Sequence, residues 1–216
     1  MKSRLKNNCI VALLMAFSFA CSDKHAEKPA LLLPVLGAKQ PANPEGTDTI
    51  YHTISKFSLS NQYKETINET TTANKIYVAN FFFATCQSIC PQMSSQISRL
   101  QEEFKNDNDF LVLSHSVNPL HDTAEVLLTY AGKYKAIKNK WHLLTGNKKT
   151  IYDLAKNDYL VNALEDDGTP EGFLHSELFL LIDKQSRIRG MFDGTDSIEV
   201  NKLIEQIKLL KTEKVR

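Results

Sequence analysis

The chain has 216 residues and a formal net charge of +1, enough for one domain that buries its own core plus a terminal extension. Hydrophobic residues make up 42% and charged residues 24%, the balance of an ordinary globular protein. With no basic run or stripe, the charge pattern excludes an electrostatic footprint for nucleic acid, and the lysines near the C-terminus read as the solvated face of a helix.

Lys2, Arg4 and Lys6 precede an apolar run from Cys9 to Ala20 that is too short to span a membrane as a mature helix. Residues 1–20 therefore read as a signal peptide. The run ends in FSFAC, and the small Ala20 before Cys21 resembles a bacterial lipoprotein cleavage site, with Ser18 and Phe19 in place of the usual Leu and small residue. Cys21 is the expected lipidation site. The chain is then an exported, membrane-anchored lipoprotein facing the periplasm or the cell exterior; a plain secretory signal with a chance cysteine is the alternative. Residues 21–48 carry Pro29, Pro34, Pro41 and Pro44 and few periodic apolar positions, which predicts a flexible tether ahead of a domain over 49–216.

From residue 50 the pattern becomes regular. TIYHTISKFSLSNQ predicts an opening strand or hairpin. KIYVANFFFA (75–84) is a continuous apolar run, as in a strand buried on both faces. Met93, Ile97, Leu100 and Phe104 then mark a helix, and FLVLSHSV (110–117) a second buried strand. Asp122-Thr-Ala-Glu125 has the form of a capping box, opening a helix whose inner face is Leu127, Tyr130 or Ala131, and Tyr134. A short strand (141–146) and a short helix (148–158) follow. SELFLLID and RIRGMF predict a hairpin, and Asp196 caps a last helix with Val200, Leu203, Ile204, Ile207 and Leu210 on one side. This order predicts an α/β, thioredoxin-like sandwich: a central mixed sheet flanked by helices, with an N-terminal β-hairpin.

Cys86 and Cys90 fall in the loop between the first core strand and its helix, and after export they are the remaining thiols. Pro91 favours the first turn of a helix and disfavours helical dihedrals before it, so the helix is expected to start at about Pro91 with both sulfurs in the loop at its positive end. Thiolate is favoured there, and thiolate serves both exchange chemistry and metal binding. A CxxC pair would be the usual redox motif at this point, whereas CxxxC leaves more room between the sulfurs. A structural disulfide, a redox pair and a soft-metal clamp all remain open. Thiolates select Cu(I), and an imidazole suits either copper oxidation state.

Six histidines are available as a further ligand. His25 lies in the tail and His52 in the opening strand. His115 reads as a satisfied core histidine, His121 as exposed beside a helix cap, and His142 as structural. His175 ends the loop EDDGTPEGFLHS and precedes an apolar strand; in a thioredoxin-like sandwich that loop end can approach the cysteines, the plain alternative being a surface histidine. Met93 belongs to the 93–97–100–104 stripe and reads as core.

Together FFFATCQSICPQM, SVNPLHDTAEVL, WHLLTG and HSELFLLIDKQSRIRGMF resemble the Sco/SenC family of copper-binding, thioredoxin-like proteins, over about residues 54–210 and with the motifs in order. The resemblance implies copper as the bound metal, with Cys86, Cys90 and His175 as ligands. It also implies a non-enzymatic metallochaperone role in assembling the copper centre of cytochrome c oxidase. The expected partners are a copper-accepting oxidase subunit or another copper protein, and the membrane through the N-terminal lipid. Gln87-Ser88 replaces a frequent Pro-Asp, Leu174 a common Asp, and Asn118 the Asp of SVDP, which alters the charge and surface around the expected site. A thiol–disulfide oxidoreductase, with Cys86 attacking and Cys90 resolving, is the second reading. A peroxidase lacks the Pro-x-x-x-Thr run before Cys86, and an inert structural disulfide fits poorly at a helix N-terminus.

Overall fold

The computed structural model describes residues 32–46, 48–161 and 176–213. Expectations for the signal segment, Cys21 and His175 fall outside these residues. Among the described residues no helix is long and apolar enough to cross a membrane.

A two-stranded hairpin, β1 (Lys39–Pro41) and β2 (Thr49–Tyr51), stands apart from the main sheet. The main sheet combines β3 (Ser58–Asn61), β4 (Thr66–Asn68), β5 (Ile76–Phe82), β6 (Phe110–Ser116), β7 (Trp141–Thr145), β8 (Leu178–Ile182) and β9 (Ile188–Asp193). Its order is β4-β3-β7-β6-β5-β8-β9. The central β5, β6 and β7 are parallel, and β3 and β8 join them antiparallel on either side. β5 and β6 are buried at every position, which explains their unbroken apolar runs: strands covered on both faces have no side left for alternation. Helices α1 (Glu69–Thr72), α2 (Cys90–Glu103), α3 (Ala124–Lys133), α4 (Lys148–Asp153) and α5 (Ser197–Thr212) complete the thioredoxin-like sandwich.

Side chains of neighbouring strand residues point to opposite faces, and the layers follow from that. Phe82 meets Tyr130 of α3 at 5.2 Å between ring centres. Phe81 lies on the other face with His115, Phe57 and Tyr159. The α2 stripe of Met93, Ile97 and Leu100 is buried as its spacing predicts, so Met93 is core. The segment expected as one helix over 148–158 divides instead: α4 ends at Asp153, and Leu154–Asp158 forms a π-helical turn. This widening fixes Asp158, whose side chain accepts the Ser55 N–H (2.7 Å) and whose carbonyl oxygen meets His52 Nε2 (2.6 Å).

At the end of the sheet where β5 begins, Arg189 is almost wholly buried and fully bonded. It donates to the carbonyls of Leu33 (2.6 Å) and Pro34 (2.9 Å), to Asp183 (3.0 Å) and to both oxygens of Glu213 (2.8 Å). The Leu36 N–H also reaches the Ile188 carbonyl at 2.8 Å. The end of the stretch expected as a tether over 21–48 thus includes residues packed on the sheet, and β1 lies within the same stretch. A buried guanidinium needs acceptors from wherever the chain can supply them, and main-chain carbonyls carry no sequence signal.

His115 departs from expectation. It is buried in β6, stacked on Phe81 at 5.1 Å, yet neither ring nitrogen has a hydrogen-bond partner among the described residues. It is a core histidine whose ring nitrogens find no well-formed hydrogen bond among the described residues. Burial pushes its pKa down to about 4, so the folded protein holds it neutral. The unfolded chain takes up the proton below about pH 6.5, so stability falls as pH drops from there toward 4, by about 3 kcal/mol at the limit. Replacing His115 with Phe should therefore flatten the decline in urea-unfolding free energy between pH 6.5 and 4 while leaving stability at pH 8 unchanged or higher. An unaltered acid slope would refute this assignment.

Candidate metal centre

The centre is built where β5 and β6 end side by side. The two strands pair in parallel from Ile76 opposite Phe110 to Phe82 opposite Ser116, and the Val117 N–H extends the pairing to the Phe82 carbonyl at 2.9 Å. Beyond this point the chain diverges into the cysteine loop after β5 and the segment 117–122 after β6. The cysteine loop turns tightly, with the Cys86 N–H donating to the Phe83 carbonyl at 3.2 Å.

α2 opens one residue earlier than the proline suggests. Cys90 occupies its first position and Pro91 its second, so only Cys86 lies in the loop proper. Both cysteines are buried free thiols. The Ser88 hydroxyl lies 3.5 Å from the Cys86 sulfur. Cys86 is held down at about 5, first by a hydrogen bond from the Cys90 thiol and then, against the opposing cost of burial, by Ser88. Cys90 moves the other way: that same hydrogen bond and burial push it far up. Main-chain N–H groups of Cys90 and Ser88 add smaller support to Cys86. Ile89 supplies no side-chain cap to α2, so the sulfur of Cys86 takes part of that role. The expected thiolate is present on one sulfur, and the neighbouring thiol contributes more to it than the helix end does.

Asp122 was read from sequence as the cap of α3. That role belongs to Thr123, whose hydroxyl accepts the Val126 N–H at 3.4 Å. The fully buried carboxylate of Asp122 instead accepts the Ala84 N–H (3.0 Å) and the Ser116 hydroxyl (2.6 Å) on one oxygen, while His121 Nδ1 lies 2.9 Å from the other. It therefore pins the cysteine loop to the segment after β6. Sequence reasoning missed this role because an Asp two residues before a helix resembles a cap; the run of polar groups in SVNPLHD was the available signal. The other histidines go elsewhere: His142 Nδ1 meets Asn61 at 3.1 Å and His52 meets Asp158. Among the described residues no group of three His, Cys, Asp or Glu side chains is gathered as a metal would require. The structure brings Cys86 and Cys90 together; His175 lies outside the residues it describes.

This fold and a paired-thiol loop at the head of α2 define a thioredoxin-like protein with two neighbouring cysteines at that position. The sequence profile of the SCO1/SenC family matches residues 45–211, and the chain belongs to that family. A solved SCO1/SenC family lipoprotein from Bacillus anthracis strain Ames is similar, with a TM-score of 0.68 and 26% identity over 74% of this chain and 95% of that one. BsSco, a member of the Sco family of cytochrome c oxidase assembly proteins in which a disulfide switch was identified, is similar with a TM-score of 0.66 and 24% identity over 76% of this chain and 95% of that one. ScoI of Bradyrhizobium japonicum, solved with copper bound, shares the fold with a TM-score of 0.61 and 19% identity over 73% of this chain and 98% of that one.

Two measurements test the centre. Alkylation of Cys86 by a small neutral reagent should follow a titration with its midpoint near pH 5, and Cys90 should stay unmodified through neutrality; a midpoint near that of an ordinary thiol would reject the hydrogen-bonded pair. Asp122→Ala strands the Ala84 N–H and the Ser116 hydroxyl, and should lower unfolding free energy by about 2–5 kcal/mol with faster amide exchange at Ala84. Wild-type stability in this variant would contradict the pinning role.

Proposed function

We propose that the protein is a membrane-tethered copper metallochaperone. Cys86 and Cys90 hold Cu(I) as thiolates, and His175 supplies a third ligand that also accommodates Cu(II). The observation that carries the reading is the dithiol itself: two buried cysteine sulfurs outside any disulfide at the head of α2, with Cys86 held down at about 5 by the Cys90 thiol. Soft thiolates in a shielded pocket favour Cu(I), and a metal arriving there has only the Cys90 proton left to displace. Delivery proceeds by ligand exchange with Cys, His or Met groups of a recipient, without covalent chemistry on a substrate. The family supports a copper-accepting subunit of cytochrome c oxidase as that recipient. Cys21 carries the lipid in this reading, residues 1–20 are the cleaved signal, and the chain from Cys21 links the anchor to a copper-binding domain that takes in Leu33 and Pro34. The B. anthracis lipoprotein supports an exported, anchored form.

The asymmetry of the two sulfurs favours a second reading, a thiol–disulfide oxidoreductase in which Cys86 attacks a recipient disulfide and Cys90 resolves the mixed disulfide. One experiment separates the two. Reduced protein is titrated with Cu(I) against a competing chelator beside His175→Ala. The expected result is one ion per chain, with affinity falling on the order of 10-fold or more when His175 is removed. Weak binding indifferent to His175 would overturn the carrier reading and leave Cys86 and Cys90 as a redox couple.

A further inference from the structure

His121 is joined through Asp122 to the cysteine loop, in the arrangement that metal-binding imidazoles adopt. A carboxylate offers only acceptors, so the 2.9 Å contact from His121 Nδ1 to Asp122 Oδ1 places the ring proton on Nδ1. The lone pair of a neutral imidazole then lies on Nε2. A ligating histidine almost always gives its other ring N–H to a carboxylate or carbonyl in this way, which fixes the ring and raises its basicity. The carboxylate is itself immobile: Asp122 is fully buried and also accepts the Ala84 N–H and the Ser116 hydroxyl. The imidazole, by contrast, is half exposed, and no described residue bonds its Nε2. Asp122 is near enough to Cys90 for its charge to act on that thiol, and it holds the main chain two residues before Cys86. An exposed imidazole whose Nε2 no described residue bonds is thus joined through Asp122 to the loop whose sulfurs are buried.

We propose that His121 is the receiving ligand for copper: a half-exposed site that takes the ion from its donor and passes it inward to Cys86 and Cys90. The inference rests on the copper-carrier reading above and adds the outer end of its transfer path. A buried thiolate is poorly placed to attack a metal still held by a bulky donor, whereas the imidazole reaches solvent. In the first step a bond forms from His121 Nε2 to Cu(I) as one donor–copper bond breaks. In the second the Cys86 thiolate bonds the ion, Cys90 releases its proton to water as its sulfur also bonds, and the Nε2–copper bond and the remaining donor–copper bonds break, freeing the donor. Copper stays Cu(I) throughout, so neither an oxidant nor a reductant is required. Because Nε2 is absent from the final ligand set, the site governs the rate of uptake and leaves its equilibrium alone.

The test mixes the reduced full-length chain in detergent with the Cu(I) complex of bicinchoninate and follows the loss of the chelate's colour. In His121→Gln the uptake rate should fall on the order of 10-fold, while competition at equilibrium with the same chelator matches wild type. Gln keeps an N–H donor for Asp122, and a wild-type thermal midpoint verifies that the variant is intact. A second measurement uses Cys86→Ser/Cys90→Ser, in which added Cu(I) should shift the 15N resonance of His121 Nε2 more than that of Nδ1. An unchanged uptake rate, or no response at Nε2, overturns the proposal. So does a loss of equilibrium affinity as large as the loss of rate, because His121 would then be a resident ligand. Failure of the wild-type chain to bind copper at all would instead fell the carrier reading on which this one stands.

Discussion

One buried carboxylate organises the working end of this molecule. Among the described residues Asp122 has no Lys or Arg partner, and its removal from water is compensated there by donors: the Ala84 N–H, the Ser116 hydroxyl and His121 Nδ1. A buried charge satisfied in this way is costly to leave short of any one partner. That cost ties together three pieces of chain that the sheet alone would release. β5 and β6 are in register up to Phe82 and Ser116, and the chain then departs in two directions. Without a bond across that divergence the cysteine loop would hang from β5 and α2 only. With it, Ala84 is fixed, the turn back to Phe83 is fixed, and Cys86 meets Cys90 with the Ser88 hydroxyl close by.

The opposite end of the sheet uses a cation in the same manner. Arg189 gathers Leu33, Pro34, Asp183 and Glu213, so the incoming chain, the β8–β9 turn and the end of α5 share one buried guanidinium. Ile182 pairs with Tyr77 near the start of β5, which puts this cluster at the end of the strands away from the cysteine loop. Leu33 and Pro34 are thus bonded at one end of the strands, and the two sulfurs lie at the other. Arginine suits such a hub because its donors fork in a plane and match several acceptors at once.

What the sequence made legible follows from the same physics. Burial on both faces writes an uninterrupted apolar run, so 75–84 and 110–117 could be read as central strands and proved to be β5 and β6. The helical period writes Met93, Ile97 and Leu100. Polar groups were less legible, because their partners come from distant segments. Asp122 looked like a cap since it precedes a helix, and only the fold shows that Ala84, 38 residues earlier, claims it. His115 reads identically whether or not its nitrogens find partners. The packed residues of 33–41 were hidden by their prolines, because main-chain carbonyls bonded by Arg189 leave no trace in side-chain pattern. At the site, spacing and Pro91 were enough to locate both sulfurs at the head of α2, but not to say that they would be unequal.

That inequality bears directly on function. A hydrogen bond between two thiols stabilises one thiolate at the expense of the other, so the pair behaves as one unit with a single proton to lose. For metal capture, this means that binding at Cys86 removes the charge that was holding the Cys90 proton, and the second sulfur becomes easier to ionise as the ion arrives. For disulfide exchange the logic is the same: once Cys86 is bound in a mixed disulfide, Cys90 no longer faces a thiolate and is freed to attack. The dithiol therefore serves both chemistries. The ranking falls to nitrogen. Exchange between sulfurs needs no imidazole, whereas a cation that leaves one site for another needs ligands along its way. On the copper-carrier proposal, His121 supplies such a ligand while its Nδ1 serves Asp122.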